Sequence, residues 1–176
     1  MSIHNIPLPS PQLFPTSRER QHLTHCIGDN AIQSVRVVVT NERGDVLVGL
    51  PVASKNVVGR EAKPELLGGK YDNPNEHPFD VAKREIFEEA HITITPSTTT
   101  VVEAYTIPSS NREGKHAGKH IIQYGVVASL MSGTPTPSEE HSKVWWEPPS
   151  RILNNPEGYR RATDIVLSLS GITRCL

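Results

Sequence analysis

The chain has 176 residues with a formal net charge of −1 at pH 7, and 36% of its residues are hydrophobic. This length suits one domain with its own core, because such a domain buries about 70% of the surface that its unfolded chain exposes. The nearly neutral charge argues against a general nucleic-acid-binding protein, which would be basic.

The cysteines and the apolar runs indicate the cellular compartment. Cys26 and Cys175 form no Cys-x-x-Cys pair, so they predict neither a zinc site nor a disulfide framework, and we expect free thiols, with one long-range disulfide as the alternative. No apolar run approaches the roughly 20 residues that a membrane-spanning helix needs. Residues 1–17 lack the apolar stretch of a secretory signal. We therefore expect a cytoplasmic protein without a membrane partner.

Residues 1–30 differ from the rest of the chain, because prolines punctuate them and their apolar residues show little periodicity. We expect an extended or disordered arm here, followed by a single domain over residues 31–176. Such an arm can pack across its own domain or onto a second subunit, so a homodimer stays open.

Two apolar segments predict a β-hairpin at the start of the domain. Val35, Val37 and Val39 alternate with other residues, and residues 45–50 form a second strand candidate. Residues 41–44 lie between the two segments and have the composition of a hairpin turn.

Residues 51–64 predict a loop, which Lys55, Arg60 and Lys63 make basic. Because this loop precedes a glycine turn, we take Arg60 as a candidate contact to a substrate phosphate. A plain surface loop is the alternative.

Residues 78–90 predict an amphipathic helix that follows this glycine turn. Pro78 suits the first helical turn, where a missing N–H is harmless. Gly68 and Gly69 allow a tight loop whose backbone can approach a ligand closely. The apolar positions recur with helical spacing and form one stripe facing a core: Phe79, Ala82, Ile86 and Ala90.

Three glutamates are expected on the remaining surface of this helix. Glu85 precedes Glu88 by three residues and Glu89 by four, so the three are neighbours and repel one another. Arg84 alone does not balance them, whereas Mg²⁺ or Mn²⁺ would, since hard cations take carboxylate and phosphate oxygens. A solvated acidic face is the alternative. The glycine turn, the Arg-Glu pair and the double glutamate occur together, which favours a metal site.

The segment from Gly69 to Ile92 resembles the Nudix hydrolase signature. Seven residues separate Glu76 from Arg84, and Arg-Glu-Ile-Phe-Glu-Glu follows as in the signature. The segment departs from the signature twice. The loop between Gly69 and Glu76 carries one extra residue, and His91 replaces the usual glycine. Histidine is one of the few other residues that adopt the left-handed conformation that glycine provides at a helix end.

The resemblance implies an α/β/α sandwich around a mixed β-sheet. It also implies metal-dependent hydrolysis of a phosphoanhydride bond in a nucleoside diphosphate linked to another moiety. Carried over position by position, the implied metal ligands are Glu85, Glu88, Glu89 and the carbonyl of Gly69, with one of the glutamates able to act as the base. Arg84 would orient one of these carboxylates, and Glu76 would support the site without binding the metal.

Many members of the family add a carboxylate from outside the signature, shortly before a strand that contains tryptophan. Glu140 lies five residues before Trp145 and fits this pattern best. Glu139 and Glu113 are the alternatives.

The chain beyond the helix predicts further strands and a closing helix. The strand candidates are residues 101–107, residues 121–131, which should be a central strand, and residues 143–147. Residues 158–169 predict an amphipathic helix. Residues 109–120 form a second basic loop, whose candidate substrate contacts are Arg112, Lys115 and Lys119. A solvated hairpin tip is the alternative for this loop.

The substrate is less determined than the chemistry. Tyr105 is a candidate for stacking on a base, although aromatic residues in strands are more often part of a core. Pro108 lies sixteen residues beyond Ile92, where ADP-ribose pyrophosphatases carry a proline. We expect ADP-ribose, a nucleotide sugar or a nucleoside triphosphate. RNA caps or polyphosphorylated substrates are an alternative suggested by the basic loop, and a non-catalytic nucleotide-binding module is a third, suggested by His91.

Overall fold

The structure is a computed structural model that describes residues 31–52, 62–106, 119–160, 163, 167 and 171. The predicted arm over residues 1–30 lies outside the described residues, as do most of the two basic loops.

Five strands form one mixed sheet. They are β1 (Ala31–Thr40), β2 (Val46–Pro51), β3 (Thr93–Thr106), β4 (His120–Ser132) and β5 (His141–Glu147), in the order β3-β4-β1-β2-β5. Strands β1 and β4 are parallel, and the other neighbours are antiparallel. The predicted hairpin is confirmed, with Thr40 opposite Val46. The predicted central strand is also confirmed, because β4 pairs on both sides.

Strand β3 is longer than predicted, because it begins at Thr93 rather than at residue 101. Its first part is rich in threonine, and the sequence offered no apolar alternation there. Its backbone nevertheless pairs with β4 from Thr93 opposite Ser132 to Thr106 opposite His120. The first part of β3 is therefore a strand because it pairs with the buried strand β4, and not because of an apolar pattern of its own.

The described helices are α1 (Pro78–Ala90), which was predicted, and the short α2 (Pro149–Asn154), which was not. A 3₁₀ turn at Pro156–Gly158 follows. Tyr159 is extended, so the closing helix starts later than the predicted residue 158. Thr163 and Leu167 are helical, and the other residues of the predicted segment beyond residue 160 lie outside the described residues.

The two faces of the sheet each carry a core. On one face, α1 packs with Val81, Ile86 and Ala90 against Val35, Val37 and Val39. On the other face, Val38, Val46, Val48 and Leu66 pack against Ile152, Leu153 and Leu167. Strand β1 is thus buried on both faces, as an interior strand of an α/β fold commonly is. The expected α/β/α sandwich around a mixed sheet is confirmed.

The segment that leads into the glycine turn lies between β1 and β2. On one side Val37 N donates to Leu67 O over 2.9 Å, and Val35 N donates to Gly69 O over 2.8 Å. On the other side Gly49 and Glu65 exchange two backbone hydrogen bonds of 2.9 Å. The turn is therefore fixed in the sheet immediately before α1 begins.

Candidate active site

Helix α1 places two of its three glutamates on its buried side. Glu85 is 9% exposed and Glu89 is 5% exposed, whereas the side chain of Glu88 is 56% exposed. The expectation that all three lie on the remaining surface of the helix was wrong for Glu85 and Glu89. The apolar stripe is accompanied by a buried polar edge that faces the glycine turn.

Gly68 holds the carboxylate of Glu89. The backbone N–H of Gly68 donates to Oε2 of Glu89 over 2.7 Å. Gly68 has φ +135°, and a Cβ at this position would collide with the carbonyl oxygen of Val35. Only glycine meets both conditions without strain, so the turn fixes the position from which the carboxylate is bound.

Gly69 leaves room for the carboxylate of Glu85. A Cβ at residue 69 would overlap this carboxylate, with Oε1 at 2.6 Å. The carbonyl of Gly69 accepts the hydrogen bond from Val35 that fixes the turn. A carbonyl oxygen has two lone pairs, so one remains for the metal-binding role that was proposed for it.

Arg84 connects the helix to the turn. Its Nη1 donates to Oε1 of Glu85 over 2.7 Å, and its Nη2 donates to the carbonyl of Lys70 over 3.0 Å. Its Nη1 also lies 3.6 Å from Oε2 of Glu88. Burial lowers the pKa of Arg84, but Glu85, Asp72 and Glu88 together outweigh burial and the pKa is raised. Arg84 therefore stays charged beside two of the glutamates.

Glu76 closes the loop that carries the extra residue. Its Oε2 accepts hydrogen bonds from the backbone N–H groups of Asp72, over 3.0 Å, and Asn73, over 3.1 Å. These contacts hold the loop ahead of α1. Glu76 thus supports the loop, and the candidate metal ligands are the other glutamates.

Burial raises the pKa values of both enclosed glutamates. The pKa of Glu89 is raised from 4.5 to about 7 by burial, against the opposing effects of the Gly68 N–H, His141 and Arg36. The pKa of Glu85 is also raised by burial, and Arg84 opposes the rise. Glu89 therefore takes up and releases a proton near neutral pH.

Glu140 approaches the site from outside the helix. It lies directly before β5, and its carbonyl accepts a 3.0 Å hydrogen bond from Val52 N. Its negative charge makes the smallest contribution to the raised pKa of Glu85. Glu139 precedes it on the same exposed turn, and Glu113 lies outside the described residues.

Two buried residues at the site were missed by the sequence analysis. His141 is 4% exposed and Glu65 is 6% exposed. The ring of His141 lies beside the carboxylates of both Glu65 and Glu89. Burial raises the pKa of Glu65, but His141, Arg36 and Arg160 outweigh burial and the pKa is lowered. Gly49 was the available sequence signal, because a glycine within a strand often marks a close approach by another group.

The donor set suits a hard divalent cation. The candidate ligands are the carboxylates of Glu85, Glu88, Glu89 and Glu140 and the carbonyl of Gly69, and oxygen ligands are those that Mg²⁺ prefers. Across the described ranges, no three acidic, histidine or cysteine side chains already converge as ligands would. Binding a cation here therefore requires side-chain rotation, which the exposed Glu88 and Glu140 allow.

The candidate substrate contacts are mostly not described. Arg60, Arg112 and Lys115 lie outside the described residues. The backbone of Tyr105 is in β3, and its side chain is outside the described part. Lys119 is half-buried directly before β4. Among the described residues, no helix is both long and apolar enough to cross a bilayer.

A model of the NUDIX domain family matches residues 31–167. No curated protein matches the chain in a sequence search. The match to the family model covers the sheet, the glycine turn and α1, so it includes every element that builds the site.

Several solved structures share the fold. A MutT protein from Methanosarcina mazei Go1 is 23% identical with a TM-score of 0.59, over 81% of this chain and 94% of that chain. A NUDIX hydrolase from Nitrosomonas europaea is 16% identical with a TM-score of 0.61, over 81% and 89%. An ADP-ribose pyrophosphatase from Streptococcus suis 89-1591 is 16% identical with a TM-score of 0.51, over 82% and 94%.

Proposed function

The chain belongs to the Nudix hydrolase family, and from this membership we propose that it hydrolyses a phosphoanhydride bond in a nucleoside diphosphate linked to another moiety, with Mg²⁺ or Mn²⁺. The observation that carries the proposal is the pair of buried glutamates against the glycine turn. Glu89 accepts a hydrogen bond from the Gly68 N–H, and its pKa is raised to about 7. Glu85 accepts a hydrogen bond from Arg84.

The protein groups have separate tasks in this reaction. Arg84 orients Glu85 and ties α1 to the carbonyl of Lys70. The Gly68 N–H orients Glu89. A bound divalent cation would neutralise phosphate oxygens and lower the pKa of water. Glu85, Glu88 and Glu89 would hold this cation, and one of these glutamates would accept the proton of the attacking water.

ADP-ribose is the first substrate to test. One structural neighbour is named an ADP-ribose pyrophosphatase, and nucleotide sugars and nucleoside triphosphates present the same bond to the carboxylates. The oxygens of a diphosphate are also ligands that Mg²⁺, the expected cation, prefers. The two cysteines, read as thiols, favour the cytoplasm, where such nucleotides are made and used.

The proposal is tested by a hydrolysis panel with Mg²⁺ or Mn²⁺. The panel contains ADP-ribose, nucleotide sugars, dinucleoside polyphosphates, nucleoside triphosphates and capped RNA. The proteins are the wild type, Glu88→Gln, Glu89→Gln, and the control Glu42→Gln, which removes a carboxylate from the exposed hairpin turn. Products are identified by ³¹P NMR.

We expect metal-dependent turnover by the wild type and the control. Glu89→Gln should lose about a hundredfold or more, because it lacks a carboxylate that binds the cation or accepts the proton. A Glu88→Gln/Glu89→Gln double variant that turns over at the wild-type rate would refute the site. Nucleotide binding with no turnover of any compound would instead favour a non-catalytic binding module.

A further inference from the structure

The ring of His141 lies between two buried carboxylates. Its Nδ1 is 3.9 Å from Oε1 of Glu89, and its Nε2 is 3.8 Å from Oε1 of Glu65. Within the described part of the chain, neither ring nitrogen has a hydrogen-bond partner. Both distances are too long for a hydrogen bond and too short to hold a water between the atoms. A small rotation of either carboxylate would therefore close a direct bond.

Glu65 is fixed on its other side by two arginines. Nη1 of Arg160 donates to Oε2 of Glu65 over 2.8 Å, and Nη2 of Arg36 lies 3.5 Å from the same oxygen. Arg36 also donates to the carbonyl of Gly68 over 2.9 Å. The carboxylate of Glu65 thus presents its remaining oxygen, Oε1, to the histidine ring.

The ring of His141 packs tightly against the backbone of Gly49. A Cβ at this position would lie 2.5 Å from Cδ2 of His141 and 2.6 Å from Cδ2 of Leu67. The backbone of Gly49 is itself paired with Glu65 in both directions. The ring therefore has little freedom to leave its place between the carboxylates.

We propose that His141 is a positioning residue that holds the carboxylate of Glu89 through Nδ1, while Glu65 fixes the ring through Nε2. Glu89 is then held from two sides, by the Gly68 N–H on Oε2 and by His141 on Oε1. Groups behind a metal ligand fix its orientation in this way, and their loss weakens metal binding or activity by about 10–100-fold. The inference rests on the proposed function, in which Glu89 is a metal ligand.

The test uses two amide variants that each replace one ring nitrogen. The amide of His141→Asn ends near the position of Nδ1 and can still donate to Glu89. The amide of His141→Gln reaches further, toward Glu65, and leaves the position of Nδ1 empty. His141→Ala removes both contacts. Lys143→Ala changes an exposed residue of the same strand and is the control.

Two readouts are measured on the full chain. The first is the dissociation constant of Mn²⁺ without substrate, from the electron paramagnetic resonance signal of free Mn²⁺. The second is kcat and KM on the best substrate of the panel. The thermal midpoint Tm of each variant is recorded, so that loss of folding is recognised.

We expect His141→Ala and His141→Gln to bind Mn²⁺ about tenfold more weakly, or worse, with a matching fall in kcat and little change in KM. His141→Asn should stay within about threefold of the wild type. Wild-type Mn²⁺ affinity in His141→Ala would overturn the inference, as would equal losses in all three variants that follow their Tm.

The two proposals fail in different ways. A wild type that binds Mn²⁺ but hydrolyses nothing refutes the proposed function, and the Mn²⁺ affinities of the variants still decide the role of His141. A wild type that binds no Mn²⁺ overturns the inference, because Glu89 is then not a ligand.

Discussion

A buried carboxylate such as Glu89 makes the folded protein a better proton acceptor than the unfolded chain. Its pKa is raised to about 7 in the fold, against 4.5 for an ordinary glutamate. Between these two values the unfolded chain has lost the proton and the folded protein still holds it. The contribution of Glu89 to stability therefore falls as the pH rises from 4.5 to 7, and the full penalty is present above that window.

Glu89→Gln should remove this penalty in metal-free protein. In EDTA the variant should be more stable than the wild type at pH 8, by up to about 3 kcal/mol, since one pKa unit corresponds to 1.36 kcal/mol. The gain should fall below about 1 kcal/mol at pH 5. Urea unfolding at both pH values measures the difference. A gain of the same size at pH 5 and pH 8 would show that the charge of Glu89 is not its cause.

The end of helix α1 depends on the conformation of one residue, His91. His91 has φ 57° and ψ 32°, and its backbone N–H donates to Phe87 O over 3.0 Å. The expectation that a histidine takes the left-handed position of the usual glycine is confirmed. Its Nδ1 also lies 3.3 Å from the carbonyl of Thr136, which ties the helix end to the turn before β5.

His91→Gly should leave stability within about 1 kcal/mol of the wild type, because relief of the left-handed strain offsets the greater freedom of glycine in the unfolded chain. His91→Val should be clearly less stable, since a β-branched residue is poorly suited to positive φ. Urea unfolding and turnover are measured together. A His91→Gly variant that is stable but inactive would give the ring a functional role.

The elements that the sequence predicted are those with a strong local pattern. Helix α1 has a proline start and an apolar stripe, and the hairpin has alternating valines with turn residues between them. Helix α2 was missed because Pro148 and Pro149 suggest a break, although Pro149 occupies the first turn, where proline is tolerated. Its stability comes from the packing of Ile152 and Leu153 against the sheet. No local sequence pattern indicates this packing.

The site was predictable where its residues are close in sequence. The Arg84, Glu85, Glu88 and Glu89 group stands on one helix, so its helical spacing reveals it. Glu65 and His141 come together only because their segments pair with the two edges of β2, near the same end of that strand, at Gly49 and Pro51. The burial of Glu85 and Glu89 was missed for a related reason, because a polar residue in the sequence does not indicate that its side of the helix is buried.

At the scale of the whole molecule, the carboxylates of the site repel one another, since the charges of Glu88 and Glu140 both contribute to the raised pKa of Glu85. Their mutual repulsion opposes folding, and a cation that binds only the folded protein would remove it. Such a ligand stabilises the fold by about 2.7 kcal/mol at a hundred times its dissociation constant. Metal binding should therefore appear as thermal stability even without a substrate.

We expect Mg²⁺ or Mn²⁺ to raise the Tm of the wild type by several degrees, and EDTA to reverse the rise. The Glu85→Gln/Glu89→Gln variant should show no such rise, whereas Glu42→Gln should respond as the wild type does. Differential scanning fluorimetry across a metal titration measures the effect. An equal rise in the double variant would place the bound metal elsewhere.

The parallel pairing of β1 with β4 also determines at which stage of folding the active site can form. Thr40 on β1 donates to the carbonyl of Ala128 on β4, 88 residues further along the chain. The glycine turn and α1 lie inside this loop, and long-range closure of this kind makes folding slow, on the order of milliseconds to seconds. Tryptophan fluorescence in stopped-flow refolding should therefore recover at the same rate as Mn²⁺ binding. A chain still leaving the ribosome would carry Glu85, Glu88 and Glu89 and yet hold no metal until β4 had emerged.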